Sequence, residues 1–160
     1  MYPTPPEASP SFDDSTWQIL DLPHDFEVTG VFSPNADGGE GYLPWNTSYY
    51  RKHVSIPAAW AGTRIELYVE GALSASRWWL NGFPVAGGQE FMSGYSALIL
   101  RLDDLPGIVV GGANILTAYI DGTEKTGWWC VRRARSARIS CMIVRAPARP
   151  VHKQVLTTYG

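Results

Sequence analysis

A chain of 160 residues with 45% hydrophobic content is long enough for one domain with a buried core and too short for two of ordinary size, and that content excludes global disorder. Sixteen Gly, twelve Pro and seven Trp suit many short strands joined by turns, and they do not suit long helices. A net charge of −2 gives no electrostatic reason to expect nucleic acid or an anionic membrane as partner, and no run of about 18 apolar residues exists for a helical membrane span.

Taken in order, residues 1–11 are Pro-rich and read as a flexible lead-in. Gln18 to Pro23 alternates and predicts a first strand ended by proline, with His24-Asp25-Phe26 following directly. Val31 to Asn46 is rich in Gly, Pro, Asn and Asp and has no sustained period, so it reads as a long loop of the kind that carries function. Thr47 to Ile56, with aromatic and β-branched residues alternating with charge from Tyr49, predicts a strand, as does Arg64 to Glu70. A strand from Ala75 to Leu80 runs into Asn81-Gly82, the dipeptide best able to hold the two positive-φ positions of a type I′ hairpin turn. Further strands are predicted from Tyr95 to Leu102 and from Asn114 to Ile120, with a short turn at Asp103-Asp104-Leu105. Strands at such short intervals give an all-β chain, a β-sandwich or jelly roll.

No catalytic or metal motif stands by itself. There is no G-x-S-x-G, no phosphate loop and no CxxC or His-rich spacing, so neither metal nor cofactor is expected. His24 is either a general base beside Asp25 or a structural hydrogen-bonding residue at a strand end; His53 reads as solvent-facing and His152 as part of a terminal strand. Glycoside hydrolysis needs two carboxylates about 5–9.5 Å apart, and no such pair can be picked out here. The expectation is no turnover by the chain alone. Trp17, Trp60, Trp78 and Trp79 read as core or inter-domain aromatics. Trp45, in the long loop, and Trp128, after Asp121-Gly122, are placed as well for ligand contact as for packing. Cys130 and Cys141 read as ordinary thiols, since nothing signals an oxidising compartment. The N-terminus lacks the basic and apolar regions of a secretory signal. As written, the chain reads as cytoplasmic, or as periplasmic or secreted if its start is incomplete.

The order of motifs carries a further reading. Trp17 with Leu22-Pro23-His24-Asp25-Phe26, Gly41-Tyr42-Leu43, Tyr49-Tyr50-Arg51-Lys52, Val69-Glu70-Gly71-Ala72, Trp79-Leu80-Asn81-Gly82, Ser93-Gly94-Tyr95, Asn114-Ile115-Leu116 and Gly127-Trp128-Trp129 resemble the N-terminal sugar-binding domain of glycoside hydrolase family 2, most of all its β-galactosidases. The resemblance implies a galactose-binding-like jelly-roll sandwich over residues 12–147, with 148–160 starting a linker or next domain. It also implies a carbohydrate partner of β-galactoside type and a separate barrel that holds the catalytic glutamates. Asp121 matches the position where such enzymes turn an acidic residue toward sugar hydroxyls, which a carboxylate can accept as a pair. The other reading of Asp121 is an ordinary Asp-Gly turn. Asp37 in the long loop is a second candidate contact. A free-standing carbohydrate-binding module and a truncated product without independent function are the alternatives from other classes.

The resemblance lapses after Trp129. Every Asp and Glu lies at or before Glu124, whereas seven of the thirteen Lys and Arg lie at or beyond Arg132. Cys130 to Cys141 places four of these cations where the family runs a core strand, and unpaired buried charge is costly. Either the reading frame shifts over Cys130–Cys141 or the segment is a solvated arginine-rich loop. The pattern becomes family-like again at Met142 to Pro147.

Overall fold

The computed structural model describes residues 3–26, 30–36, 42–43, 46–72, 75–88, 96–123, 138–139, 142–145 and 157–159, the last three segments through their backbone pairing. The strands are β1 (Ile19–Asp21), β2 (His24–Asp25), β3 (Thr47–Ser55), β4 (Glu66–Val69), β5 (Arg77–Leu80), β6 (Phe83–Pro84), β7 (Leu98–Arg101), β8 (Ala113–Asp121), β9 (Arg138–Ile139), β10 (Met142–Arg145) and β11 (Thr157–Tyr159). They form a six-stranded sheet in the order β1-β11-β3-β8-β5-β6, a three-stranded sheet β10-β4-β7 and a two-stranded pair β2-β9. Each pairing is antiparallel. The chain is an all-β sandwich, as its pattern predicts.

The core lies between the two larger sheets. Successive side chains on a strand point to opposite faces, so one face of each strand can be apolar and the other polar. From the large sheet come Tyr50, Val54, Trp78, Leu80, Leu116, Ala118 and Ile120; Leu67, Val69, Leu98 and Leu100 meet them from β4 and β7. Trp60, Trp78 and Trp79 are buried and Trp17 is half-buried against Phe12, in keeping with the packing role expected of them. The Asn81-Gly82 turn has φ of 51° and 84°, the two left-handed positions that its dipeptide anticipates.

Gly88 shows how closely β5 and β7 approach. A Cβ added there would lie 2.7 Å from Leu100 Cδ1 and 3.1 Å from Trp78 Cβ, while the Gly88 carbonyl accepts the Trp78 N–H at 2.9 Å. Gly88→Ala is therefore expected to cost about 1–3 kcal/mol by overpacking, measured as a lower midpoint in urea unfolding with an unchanged slope. A change within about 0.5 kcal/mol would show that Leu100 yields freely.

The far face of the large sheet differs from the plain solvent face common in antiparallel sheets. The register sets Arg51, Thr117 and Trp79 in one row across β3, β8 and β5. Residues 4–14 cross this row, so the lead-in expected to be flexible is in fact a strap. Its Pro6–Ala8 turn buries Ala8 completely. The fully buried Arg51 guanidinium holds it by donating to Asp14 Oδ2 at 2.8 Å, to the Ser9 carbonyl at 3.1 Å, to the Phe12 carbonyl at 3.4 Å and to the Glu7 carbonyl. Thr117 Oγ1 also donates to the Glu7 carbonyl at 3.3 Å, and Thr4 Oγ1 to the Gly82 carbonyl at 3.3 Å. A fully buried cation is tolerated here because carbonyls and a carboxylate surround it.

One boundary expected from sequence also moves. Thr157–Tyr159, placed in a linker or next domain by the pattern, pairs between β1 and β3 and so extends the sheet past residue 147. Arg138–Ile139, inside the arginine-rich segment, pairs with His24–Asp25. The remainder of Cys130–Cys141, with both cysteines, lies outside the described residues, as does His152.

Candidate functional site

Next to the strapped row lies a second one. Tyr49 of β3, Tyr119 of β8 and Arg77 of β5 stand side by side on the same face, and Thr47 opposite Asp121 continues it toward the sheet end. All but the exposed Thr47 are half-buried. The Tyr49 and Tyr119 rings pack with centroids 5.0 Å apart, and the Arg77 guanidinium carbon lies 5.0 Å from the Tyr119 ring centre, a cation–π geometry.

Asp121 ends β8 within this cluster. Its Oδ1 accepts the Thr123 amide at 3.0 Å and the Thr123 hydroxyl at 2.6 Å, and its Oδ2 accepts the Tyr119 hydroxyl at 3.1 Å. The Gly122 amide donates to the Asn46 carbonyl at 3.0 Å, fixing the turn to the start of β3. Partial burial pushes the Asp121 carboxyl up, but the hydrogen bonds from Thr123 and Tyr119 and the Arg77 charge together hold it below the ordinary carboxylate value. Burial, and then the neighbouring Asp121, push the Tyr119 phenol up. Burial also raises Tyr49, with Glu7 and Tyr119 adding to it. The cluster is thus an ionised carboxylate beside two protonated phenols and a guanidinium. It can orient hydroxyl groups, donating through phenol and guanidinium and accepting on carboxylate lone pairs. It offers no activated nucleophile.

Asp121 is the one sequence-derived candidate that can be placed. Asp37, Trp45 and Trp128 lie outside the described residues. In the loop that holds Asp37 and Trp45, the Ser33 amide bonds the Tyr42 carbonyl at 2.9 Å, and Val31, Phe32 and Tyr42 are exposed. His24 takes the structural role: its Nδ1 lies 3.0 Å from the Tyr50 hydroxyl, with the two rings edge to face. His53 is mostly exposed, with Nε2 3.0 Å from Asp14 Oδ2. Sequence reading missed Tyr49, Tyr119 and Arg77 as a group. The spacing of Tyr119 and Asp121 was signal enough for those two; the other two enter through strand register.

No protein-family model matches the chain. A β-galactosidase of Bacteroides ovatus is 31% identical over 121 residues, which cover 74% of this chain and 14% of that protein. A solved family 2 glycosyl hydrolase from Bacteroides cellulosilyticus superposes with a TM-score of 0.70 at 24% identity, covering 88% of this chain and 18% of the other. Another from the same species gives 0.61 at 26% identity, over 74% of this chain and 15% of its own. The match is to family 2 glycoside hydrolases, in their N-terminal domain. Asp121 and its row lie in a sandwich similar to that of family 2 glycoside hydrolases, and the chain spans about a seventh of that β-galactosidase's length.

Proposed function

We propose that this chain is the sandwich of a β-galactosidase-like enzyme that hydrolyses O-glycosyl bonds, acting without catalytic residues of its own and helping to close a sugar pocket whose catalytic groups lie on a barrel domain. The observation that carries this reading is the 31% identity to a β-galactosidase over three quarters of the chain. The Asp121 cluster supports it chemically, because a fixed, ionised carboxylate beside phenol and guanidinium groups suits the hydroxyls of a neutral sugar. Val31, Phe32 and Tyr42 give the adjoining loop an exposed apolar surface suited to packing against another domain.

The decisive experiment uses the full-length enzyme. Asp121→Ala is expected to raise KM for 4-nitrophenyl β-galactoside about ten-fold, equivalent to one charged hydrogen bond, with kcat within about two-fold. An unchanged KM would assign Asp121 to its turn alone. The same enzyme should prefer the galactoside to the matching glucuronide. Reading the gene across residue 130 and beyond residue 160 tests the remainder: a frame that continues into a barrel supports the proposal, and a stop codon with no barrel-coding frame removes its enzymatic part.

A further inference from the structure

The strap does more than cover the sheet. Arg51 stands two residues after Tyr49 on β3 and Thr117 two before Tyr119 on β8, so the strapped row and the tyrosine row share one face, about 7 Å apart along the strands. Glu7 occupies the middle of the Pro6–Ala8 turn, where the Ala8 amide bonds the Pro5 carbonyl and the Ser9 amide the Pro6 carbonyl, each at 3.0 Å. Its own carbonyl accepts the Thr117 hydroxyl at 3.3 Å and an Arg51 N–H, and Ala8 beside it is wholly buried. The backbone of Glu7 is thereby fixed one row from Tyr49, Tyr119 and Arg77.

The side chain has no such duty. It is half-buried, and among the described residues its carboxylate accepts no hydrogen bond and joins no ion pair. Its charge nevertheless reaches the row: after burial, Glu7 is the largest influence raising the Tyr49 phenol, as an anion beside a phenol must. The strap therefore walls the row on one side with an unengaged carboxylate, and the Asp121 turn ends it on the other.

Among the described residues three charges border this trough: Glu7 and Asp121 are negative, and Arg77 is positive. Arg51 and Asp14, in the strapped row, pair with each other at 2.8 Å. Tyr49 and Tyr119 remain neutral because both phenols are raised. The balance is one negative charge, and the Arg77 guanidinium already lies over the Tyr119 ring. An anion entering here meets two carboxylates for one guanidinium, and like charges brought together oppose binding. With residue 7 uncharged, the same trough would carry no net charge.

We propose that Glu7 is a specificity-determining residue of the Asp121 site, a charge filter carried on the strap that turns anionic ligands away. The inference rests on the reading of the Asp121 row as part of a sugar pocket, and it adds the N-terminal strap to that pocket as the source of its selectivity.

The test measures, by calorimetry on the full-length enzyme, the binding of two thioglycosides, which resist hydrolysis: isopropyl 1-thio-β-galactoside and its glucuronide counterpart. The unsubstituted enzyme is expected to bind the galactoside more tightly. Glu7→Gln should narrow that preference about ten-fold, chiefly through tighter binding of the glucuronide, while Glu7→Asp keeps it. Added salt should narrow the preference of the unsubstituted enzyme more than that of Glu7→Gln, since screening acts on the charge that the variant lacks. A preference unaltered in Glu7→Gln, an equal change for both ligands, or binding of neither overturns the proposal. The parent reading fails in a different way: if Glu7→Gln narrows the preference but the enzyme splits no 4-nitrophenyl β-galactoside, the filter stands and the galactosidase assignment falls.

Discussion

Replacing Arg51 by methionine is expected to remove about 3–5 kcal/mol of stability, a large share of the roughly 5–15 kcal/mol available to a domain. The guanidinium is fully buried and joins Asp14 and three strap carbonyls to the middle of the large sheet. Methionine fills much of the volume but leaves Asp14, only 15% exposed, beside an apolar neighbour, takes the Arg51 donor from the Phe12 carbonyl, and leaves the Glu7 and Ser9 carbonyls with only Thr117 Oγ1 and the Phe12 amide. The Phe12 ring, 5.3 Å from the guanidinium carbon, loses its cation as well. Urea unfolding measures the total, and hydrogen exchange at Ala8, Ser9 and Phe12 should show the strap opening before the sheet. A loss below about 1 kcal/mol would mean that the strap is held by packing of Ala8 rather than by the buried cation. The pair also predicts a pH dependence. Burial pushes the Asp14 carboxyl up, but hydrogen bonds from Arg51 and His53 outweigh it and hold the group below its ordinary 3.8. A carboxylate depressed on folding binds fewer protons in the folded than in the unfolded state. Its stabilisation is therefore complete above pH 3.8 and is lost as pH falls through the lower folded value. In Arg51→Met that acid-labile increment should shrink, since its principal hydrogen bond is gone.

Elements whose signal is local were legible from the amino-acid order. Arg64 to Glu70 alternates cleanly and becomes β4; the aromatic and β-branched runs become β3 and β8; Asn81-Gly82 makes the left-handed turn its chemistry favours. The strap was not legible, because a Pro-rich run has no period and its anchor, Arg51, lies 37 residues beyond Asp14. Nothing in Tyr49-Tyr50-Arg51-Lys52 says which side chain will be sealed, since both faces of this strand become covered. The Asp121 cluster divides in the same way. Tyr119 and Thr123 each stand two residues from Asp121 and could be foreseen, whereas Tyr49 and Arg77 arrive only through register with two other strands. Thr157–Tyr159 joins the sheet on pairing partners more than a hundred residues earlier, which no short-range pattern encodes.

Asn114→Ala is expected to cost about 2–4 kcal/mol, because it opens an amide network shared by the hairpin and β8. Asn114 is buried at the start of that strand. Its Oδ1 accepts the Val109 amide at 2.8 Å and Asn81 Nδ2 at 2.8 Å, while its Nδ2 donates to the Val109 carbonyl at 2.8 Å and the Gly112 carbonyl at 3.2 Å. Asn81 completes the circuit by donating to the Gly107 carbonyl at 2.7 Å and accepting the Ile115 amide at 2.6 Å. The two motifs Trp79-Leu80-Asn81-Gly82 and Asn114-Ile115-Leu116 are thereby one structural unit, which ties the β5–β6 turn to the connection before β8. Asn81→Gly is the informative partner, for it keeps a residue at ease with φ of 51° while deleting the amide. If the two asparagines act as a unit, the double variant should be less destabilised than the sum of the singles by at least about 1 kcal/mol in urea unfolding. Additive losses would break the unit into two separate loop anchors. A network of this kind has little slack: a backbone amide left without its acceptor where water enters poorly costs more than the intact bond contributes, so the penalty falls on the partner groups rather than on the lost side chain.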